Sequence, residues 1–203
     1  ENAAQICIDS HAADYKGLKH VAKILAGDIL TVTGKEPEIV EQIQNVPQIV
    51  AATKGTSDIL AKWEEEKKID LSVLEGKREV FMVQLIEEDG AEKLVIVGTE
   101  TIATLYGLYY ISENIGVSPW VYWADVVPAP KKEIVFDKSI CTVSKEPSVR
   151  YRGFFMNDEW PSLGNFVMNT FGDFNEFFYE KVFDLLLRLK GNYFWPAMWS
   201  ASC

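Results

Sequence analysis

The sequence predicts an α/β protein in two parts. Residues 1–145 form a small mixed-sheet α/β domain, and residues 146–203 form the first βαβ unit of a truncated (β/α)8 TIM barrel. Three observations carry this. Helical and extended patterns alternate through the first part. The composition then shifts at the loop-like Ser144-Lys145-Glu146-Pro147-Ser148: 15 of the 25 aromatic residues fall in residues 150–203, which marks a domain boundary. Beyond it, two aromatic-rich apolar segments flank one well-patterned helix, the arrangement of parallel strands joined by a crossover.

The elements follow in order. Residues 5–8 read as a short buried strand. Leu18, Val21, Ala22, Leu25, Ile29 and Val32 make a helical stripe over residues 16–32, which Gly34 ends. Residues 48–52 are a second buried strand, and Ser57 or Asp58 caps a helix through residue 67. A hairpin comes next: residues 79–86 alternate, 87–90 turn and 93–97 return. Thr99 or Thr101 opens a helix to about Asn114, with Gly116 as its cap. Residues 119–127 are aromatic and bounded by prolines, and residues 133–136 read as a short last strand.

Past the boundary, residues 150–156 read as a strand. Asp173 and Glu176 have capping-box spacing. Phe174, Phe177, Phe178, Val182, Leu185, Leu186 and Leu189 then share one helical face, while Asp184 and Arg188 pair on the opposite one. Gly191 serves as the left-handed residue that ends this helix, and residues 193–197 begin a new strand.

Bulk properties exclude some functions. A formal charge of −10 repels nucleic acid and anionic membrane surfaces, so neither is an expected partner. No apolar run is long enough to cross a bilayer. Cys7, Cys141 and Cys203 are scattered and only His11 and His20 accompany them, which suits neither a disulfide framework nor a zinc site. No metal or cofactor is expected. Glu1-Asn2-Ala3-Ala4 lacks the basic and apolar regions of a signal peptide, so compartment is not legible directly.

The candidate site lies at the end of the first predicted barrel strand, where Asn157, Asp158 and Glu159 follow one another. Loops at that edge of a barrel converge on one mouth. The connection over residues 157–172 is also longer than the usual strand-to-helix loop. Glu159 is the better acid or base because its stem reaches further, and Asp158 would orient it or hold a sugar hydroxyl. The plainer reading, that these groups solvate a turn or cap amides, stands beside it. Trp195 and Trp199 are either stacking platforms for a pyranose or fillers of the barrel core, with Trp199 expected to face substrate.

Arg152 is set aside: at about 3.3 Å per residue, seven residues place it roughly 20 Å from Glu159. An ion pair near the barrel base suits it better. Gly98-Thr99 before a helix is a weak phosphate signal without a glycine-rich motif. Trp120, Tyr122 and Trp123 are expected at the interface between the parts, and His11 and His20 at the surface.

Several separate blocks resemble glycoside hydrolase family 115, the xylan α-1,2-glucuronidases. They are Gly116-Val117-Ser118-Pro119-Trp120 with Trp123-Ala124-Asp125-Val126, Arg152-Gly153 with Asn157-Asp158-Glu159, the helix segment from Phe174-Asn175 to Leu189-Lys190, and Asn192-Tyr193 with Trp195-Pro196-Ala197-Met198-Trp199. Asp70-Leu71-Ser72 and Leu74-Glu75-Gly76-Lys77 add to them. The resemblance implies an N-terminal α/β domain, a catalytic (β/α)8 barrel, and further domains that support a homodimer. It implies release of glucuronic acid or its 4-O-methyl form from glucuronoxylan, with inversion, in the periplasm or outside the cell.

An inverting mechanism needs two carboxyl groups about 6.5–9.5 Å apart. Glu159 matches the family's strand-end glutamate, and its partner would come from a later strand. One strand pair and one helix do not close a pocket, so the isolated chain is expected to be inactive. Two alternatives stand: a non-catalytic carbohydrate-binding or assembly module centred on Trp120 and Trp123, or another barrel glycosidase such as a β-hexosaminidase, whose paired Asp-Glu lies on a middle strand.

Overall fold

The computed structural model describes residues 4–196. Its larger sheet contains β1 (Gln5–Cys7), β2 (Ile39–Val40), β3 (Gln48–Thr53), β4 (Phe81–Glu88), β5 (Ala91–Gly98) and β6 (Cys141–Val143), in the order β2-β1-β3-β5-β4-β6. The first four neighbours run parallel, and β4 runs antiparallel to both β5 and β6. Helices α1 (Tyr15–Thr33) and α3 (Thr101–Asn114) cover one face, while α2 (Asp58–Glu65) and a 3-10 turn at Leu71–Leu74 cover the other. All six residues of β3 are buried, because a central parallel strand meets helices on both faces. Ile49 and Ala51 join the core beneath α1 and α3, and Val50 and Ala52 join the one around the fully buried Trp63.

Most expected elements of this part form within a residue or two. Residues 133–136 do not become a strand. Ile134 and Phe136 lay their side chains on the α1–α3 core while Val135 stays exposed, so the alternation is real but its backbone joins no ladder. The last strand is instead Cys141–Val143, paired to β4. Helix α2 ends at Glu65, and Lys67 turns the chain with φ 57°.

The second sheet is the parallel pair β7 (Gly153–Phe155) and β8 (Tyr193–Trp195), in register Gly153↔Tyr193, Phe154↔Phe194 and Phe155↔Trp195. Two helices connect them. The segment read as a long loop holds α4 (Ser162–Phe171), and α5 (Glu176–Arg188) is the expected amphipathic helix. Gly172 ends α4 with φ 82°, so Asp173 belongs to the link between helices and Asn175 caps α5 instead. Asn175 Oδ1 accepts from the Phe177 and Phe178 amides at 3.1 and 3.2 Å.

At the far end Lys190, not Gly191, is left-handed, with φ 59°. Gly191 is needed for space, since a Cβ there would lie 2.4 Å from Leu186 Cδ1. The apolar stripe is also narrower than its sequence suggests: Phe177 and Leu189 are exposed, whereas Phe174, Phe178, Val182, Leu185 and Leu186 are buried.

Asp184 and Arg188 do pair, with Nε 2.9 Å from Oδ2, but not on a solvated face. Helix α5 lies between the two sheets, and its polar side faces α1 and α3. Arg188 is only 5% exposed there. Its Nη1 and Nη2 reach Asp28 Oδ2 and Oδ1 of α1 at 2.8 and 3.2 Å, and the Tyr109 hydroxyl of α3 donates to Asp184 Oδ1 at 2.8 Å. Burial works against the guanidinium's charge, but Asp28 and Asp184 more than offset it. Burial also pushes the Tyr109 hydroxyl well above its ordinary value.

Arg188→Ala is expected to lower the unfolding free energy by about 3–5 kcal/mol, because it strands the buried Asp28 carboxylate and the half-buried Asp184. Urea denaturation of the purified chain checks this, and a loss below about 1 kcal/mol would mean that water replaces the guanidinium. A second test concerns Glu88, buried at the end of β4. Lys62 at 2.7 Å and Lys68 hold its carboxyl at about 2, below the ordinary 4.5. A depressed carboxyl stabilises the fold above its unfolded value and loses that effect as pH falls through the folded one. Acid titration of stability should therefore show a decline between about 4.5 and about 2 that Glu88→Gln flattens.

Candidate active site

The candidate site is built on the C-terminal edge of β7 and β8. The ladder runs one bond past the strands, the Met156 amide donating to the Trp195 carbonyl at 3.0 Å. Alternation along the strands sends Phe154 and Phe194 onto α5, their rings edge to face at 5.9 Å. Phe155 and Trp195 stand on the opposite face, also edge to face at 5.9 Å, and remain 51% and 57% exposed. Tyr151 and Tyr193 continue that face below them.

The chain then turns through Asn157, Asp158 and Glu159, which take different environments. Asp158 is buried at 3% exposure, whereas Glu159 is exposed. The Asn157 amide donates to Glu159 Oε1, and its own Oδ1 is buried without a hydrogen-bond partner among the described residues. The Glu159 carbonyl accepts from the Gly164 amide at 2.9 Å, tying the turn to the first turn of α4. The Trp160 ring lies over that turn, so close that a Cβ at Gly164 would meet it at 2.3 Å. The arrangement presents one carboxylate, held by Asn157, to solvent just before the exposed Trp160, and a carboxylate so placed can give or take a proton.

Trp195 thus stands on the open face, and Trp199 lies outside the described residues. Arg152 sits at the strand bases, as its distance in sequence requires. It pairs with Glu79 of the larger sheet's domain, and it also donates to the Lys190 and Val149 carbonyls at 3.0 and 2.9 Å. Trp123 lies at the interface as expected: Nε1 donates to the Lys181 carbonyl at 3.1 Å and its ring meets Phe166 and Phe178. Trp120 and Tyr122 keep more exposure, and Lys181 lies 5.5 Å from the Tyr122 ring centre.

Gly98 serves packing, since a Cβ there would lie 2.2 Å from the Thr104 amide. His11 pairs with Asp9 at 3.3 Å, and His20 lies 3.6 Å from Glu180. No group of three or more metal-ligating side chains occurs among the described residues. Glu79, expected only as the first residue of the hairpin strand, is the functional contact that the sequence did not reveal. It precedes a strand and lies 73 residues before Arg152 and 113 before Asn192, and nothing local to it marks a contact.

The chain is thus an α/β layer domain leading into a parallel βαβ unit, with a carboxylate turn and exposed aromatics at one strand edge. Comparison makes the assignment. The model of glycosyl hydrolase family 115 matches residues 144–203. The fold of 97% of the chain superposes, with a TM-score of 0.84 and 33% identity, on BtGH115A, described as a novel family GH115 4-O-methyl-α-glucuronidase with specificity for decorated arabinogalactans. CpGH84D is far more distant: the TM-score is 0.42 and the identity 11%, over 75% of this chain and 21% of that one. A search of the curated proteins finds no match. The chain belongs to glycoside hydrolase family 115, as its N-terminal portion, and spans 25% of the length of BtGH115A.

Gly153 offers a direct test of the strand pair. A Cβ there would lie 1.5 Å from the Tyr193 carbonyl oxygen, which is backbone and cannot step aside. Gly153→Ala is expected to cost about 1–3 kcal/mol. It should also loosen the exposed aromatic face, read as a shift of tryptophan fluorescence; a thermal transition and spectrum like those of the parent would rule out this pairing.

Proposed function

We propose that the chain is the N-terminal part of a glycosidase that releases glucuronic acid, or its 4-O-methyl form, from polysaccharide side chains. Residues 1–145 are its accessory α/β domain and residues 146–203 open its catalytic barrel. The observation that carries the reading is the parallel pairing of β7 with β8, which brings the Asn157-Asp158-Glu159 turn and Trp195 to one strand edge.

In this reading Glu159 is the acid or base group, steered by Asn157. Asp158, being buried, holds the turn. Trp195 presents its face to the pyranose C–H groups, joined by Trp199. With inversion, a second carboxyl from another strand stands about 6.5–9.5 Å away. The uronate is common to decorated xylan and arabinogalactan substrates. Glucuronoxylan is the first substrate to test, and the specificity printed for BtGH115A makes decorated arabinogalactan the second. A polymeric substrate places the enzyme in the periplasm or outside the cell. Dimerisation belongs to other domains of the parent.

Removing a general acid or base lowers turnover by about 10²–10⁴-fold. Glu159→Gln in the full-length enzyme is therefore expected to reduce uronic acid release from both polysaccharides by at least about 10²-fold with unchanged circular dichroism. Unaltered kinetics would return Glu159 to a turn-solvating role. The purified 203-residue chain is expected to release no uronic acid from either polymer, and detectable release would defeat the requirement for a second carboxylate.

A further inference from the structure

Glu79 belongs to the larger sheet's domain, two residues before β4, yet its carboxylate ends at the base of the smaller sheet. One oxygen receives Arg152 Nη2, and the other accepts from Asn192 Nδ2 at 2.9 Å. Arg152 and Asn192 immediately precede β7 and β8. The two are also locked to each other. The Arg152 amide donates to Asn192 Oδ1 at 2.9 Å, and the Asn192 and Tyr193 amides donate to the Arg152 carbonyl at 2.8 and 3.1 Å. A single carboxylate from outside the unit therefore holds one residue of each strand at the same height.

Glu79 itself is held firmly. It is 8% exposed and has φ 54°, a left-handed conformation that a long side chain rarely adopts. Its amide donates to Glu100 Oε1 at 2.7 Å, and the next amide, of Val80, donates to Thr99 Oγ1 at 3.1 Å. Tyr106 of α3 closes the group, lying 3.3 Å from Arg152 Nη2 and donating to the Gly191 carbonyl at 2.8 Å. A strained backbone fixed on several sides is a rigid post against which other elements can be set.

We propose that Glu79 is a positioning residue for catalysis: it pins the register of β7 against β8 and so places the Glu159 turn beside Trp195. The proposal rests on the reading of that edge as the active site. The ladder has three residue pairs, so few backbone bonds of its own resist slippage. A shift of one residue would turn Phe194 to the open face and drive Trp195 into the packing against α5. Pinning both strands at their first residues removes that freedom, and the fixed register decides which side chains face substrate.

The test uses the full-length enzyme carrying Glu79→Gln, which lacks the charge and can no longer accept from both partners through equivalent oxygens. At a temperature well below its melting transition, kcat on 4-O-methylglucuronoxylan should fall by about tenfold or more, because small misplacement of reacting groups is costly. KM should move much less. Amide exchange at residues 154–156 and 193–195 should quicken by about tenfold, while β3 and β5 keep their protection.

A merely structural role would lower the melting temperature and leave kcat per folded molecule and the local exchange as in the parent; that result overturns the proposal. Glu159→Gln is run alongside. If it proves silent, the active-site reading fails, and the exchange data still decide whether Glu79 pins the register. Should Glu79→Gln not fold, Glu79→Asp keeps the charge and suits the left-handed backbone, but is one methylene too short to reach both Arg152 and Asn192. It should show the same local quickening, and unchanged exchange there overturns the proposal.

Discussion

Helix α5 buries an arginine on the side away from its own sheet, and the rest of the structure is arranged around that constraint. Its apolar face supports β7 and β8 through Phe178 and Val182 against Phe154 and Phe194. Its opposite face carries Arg188, sealed between Asp28, Asp184 and the Tyr109 ring. A guanidinium withdrawn from water is tolerable only when its donors and charge are met in one geometry. That geometry exists only if α1, α3 and α5 keep their places. The triad ties the crossover of one sheet to the helical layer of the other.

The Glu79 cluster repeats the principle at the strand bases. There too, a buried charge on the larger domain meets donors that come from both strands of the smaller sheet. The two clusters grip the βαβ unit at its helix and at its strand bases, leaving the opposite strand edge and the aromatic face free. Exposed groups gather where the fold makes no demands: Glu159, Trp195 and Phe155 face solvent, whereas Arg152 and Arg188 are spent on architecture. In an acidic chain, these two paired arginines do more for domain placement than for overall charge.

Much of this was legible in local pattern. The stripe from Leu18 to Val32, the hairpin that turns at Asp89-Gly90, and the parallel pairing around an amphipathic helix all follow from periodicities of 3.6 and 2. So did the position of Asn157, Asp158 and Glu159 beyond a strand end. Local pattern misled where one residue type serves two purposes. Ile134 and Phe136 alternate like a strand but only lend side chains to a core. Asp173 has the spacing of a cap, yet Gly172 ends another helix just before it, and α4 hides in what composition presents as loop.

What the sequence determined by itself were most of the elements, their order and the residues at the strand edge, because these depend on neighbours within a few positions. Tertiary structure alone decided that Arg188 is buried with Asp184 half-buried beside it, that Asp158 turns inward while Glu159 turns outward, and that Glu79 reaches Arg152 and Asn192. The partners of Glu79 and Arg188 lie far away in sequence, with separations of 73 for Glu79–Arg152, 113 for Glu79–Asn192 and 160 for Asp28–Arg188. No periodicity encodes such a meeting. It arises only once the layers close and each buried charge must find its partner.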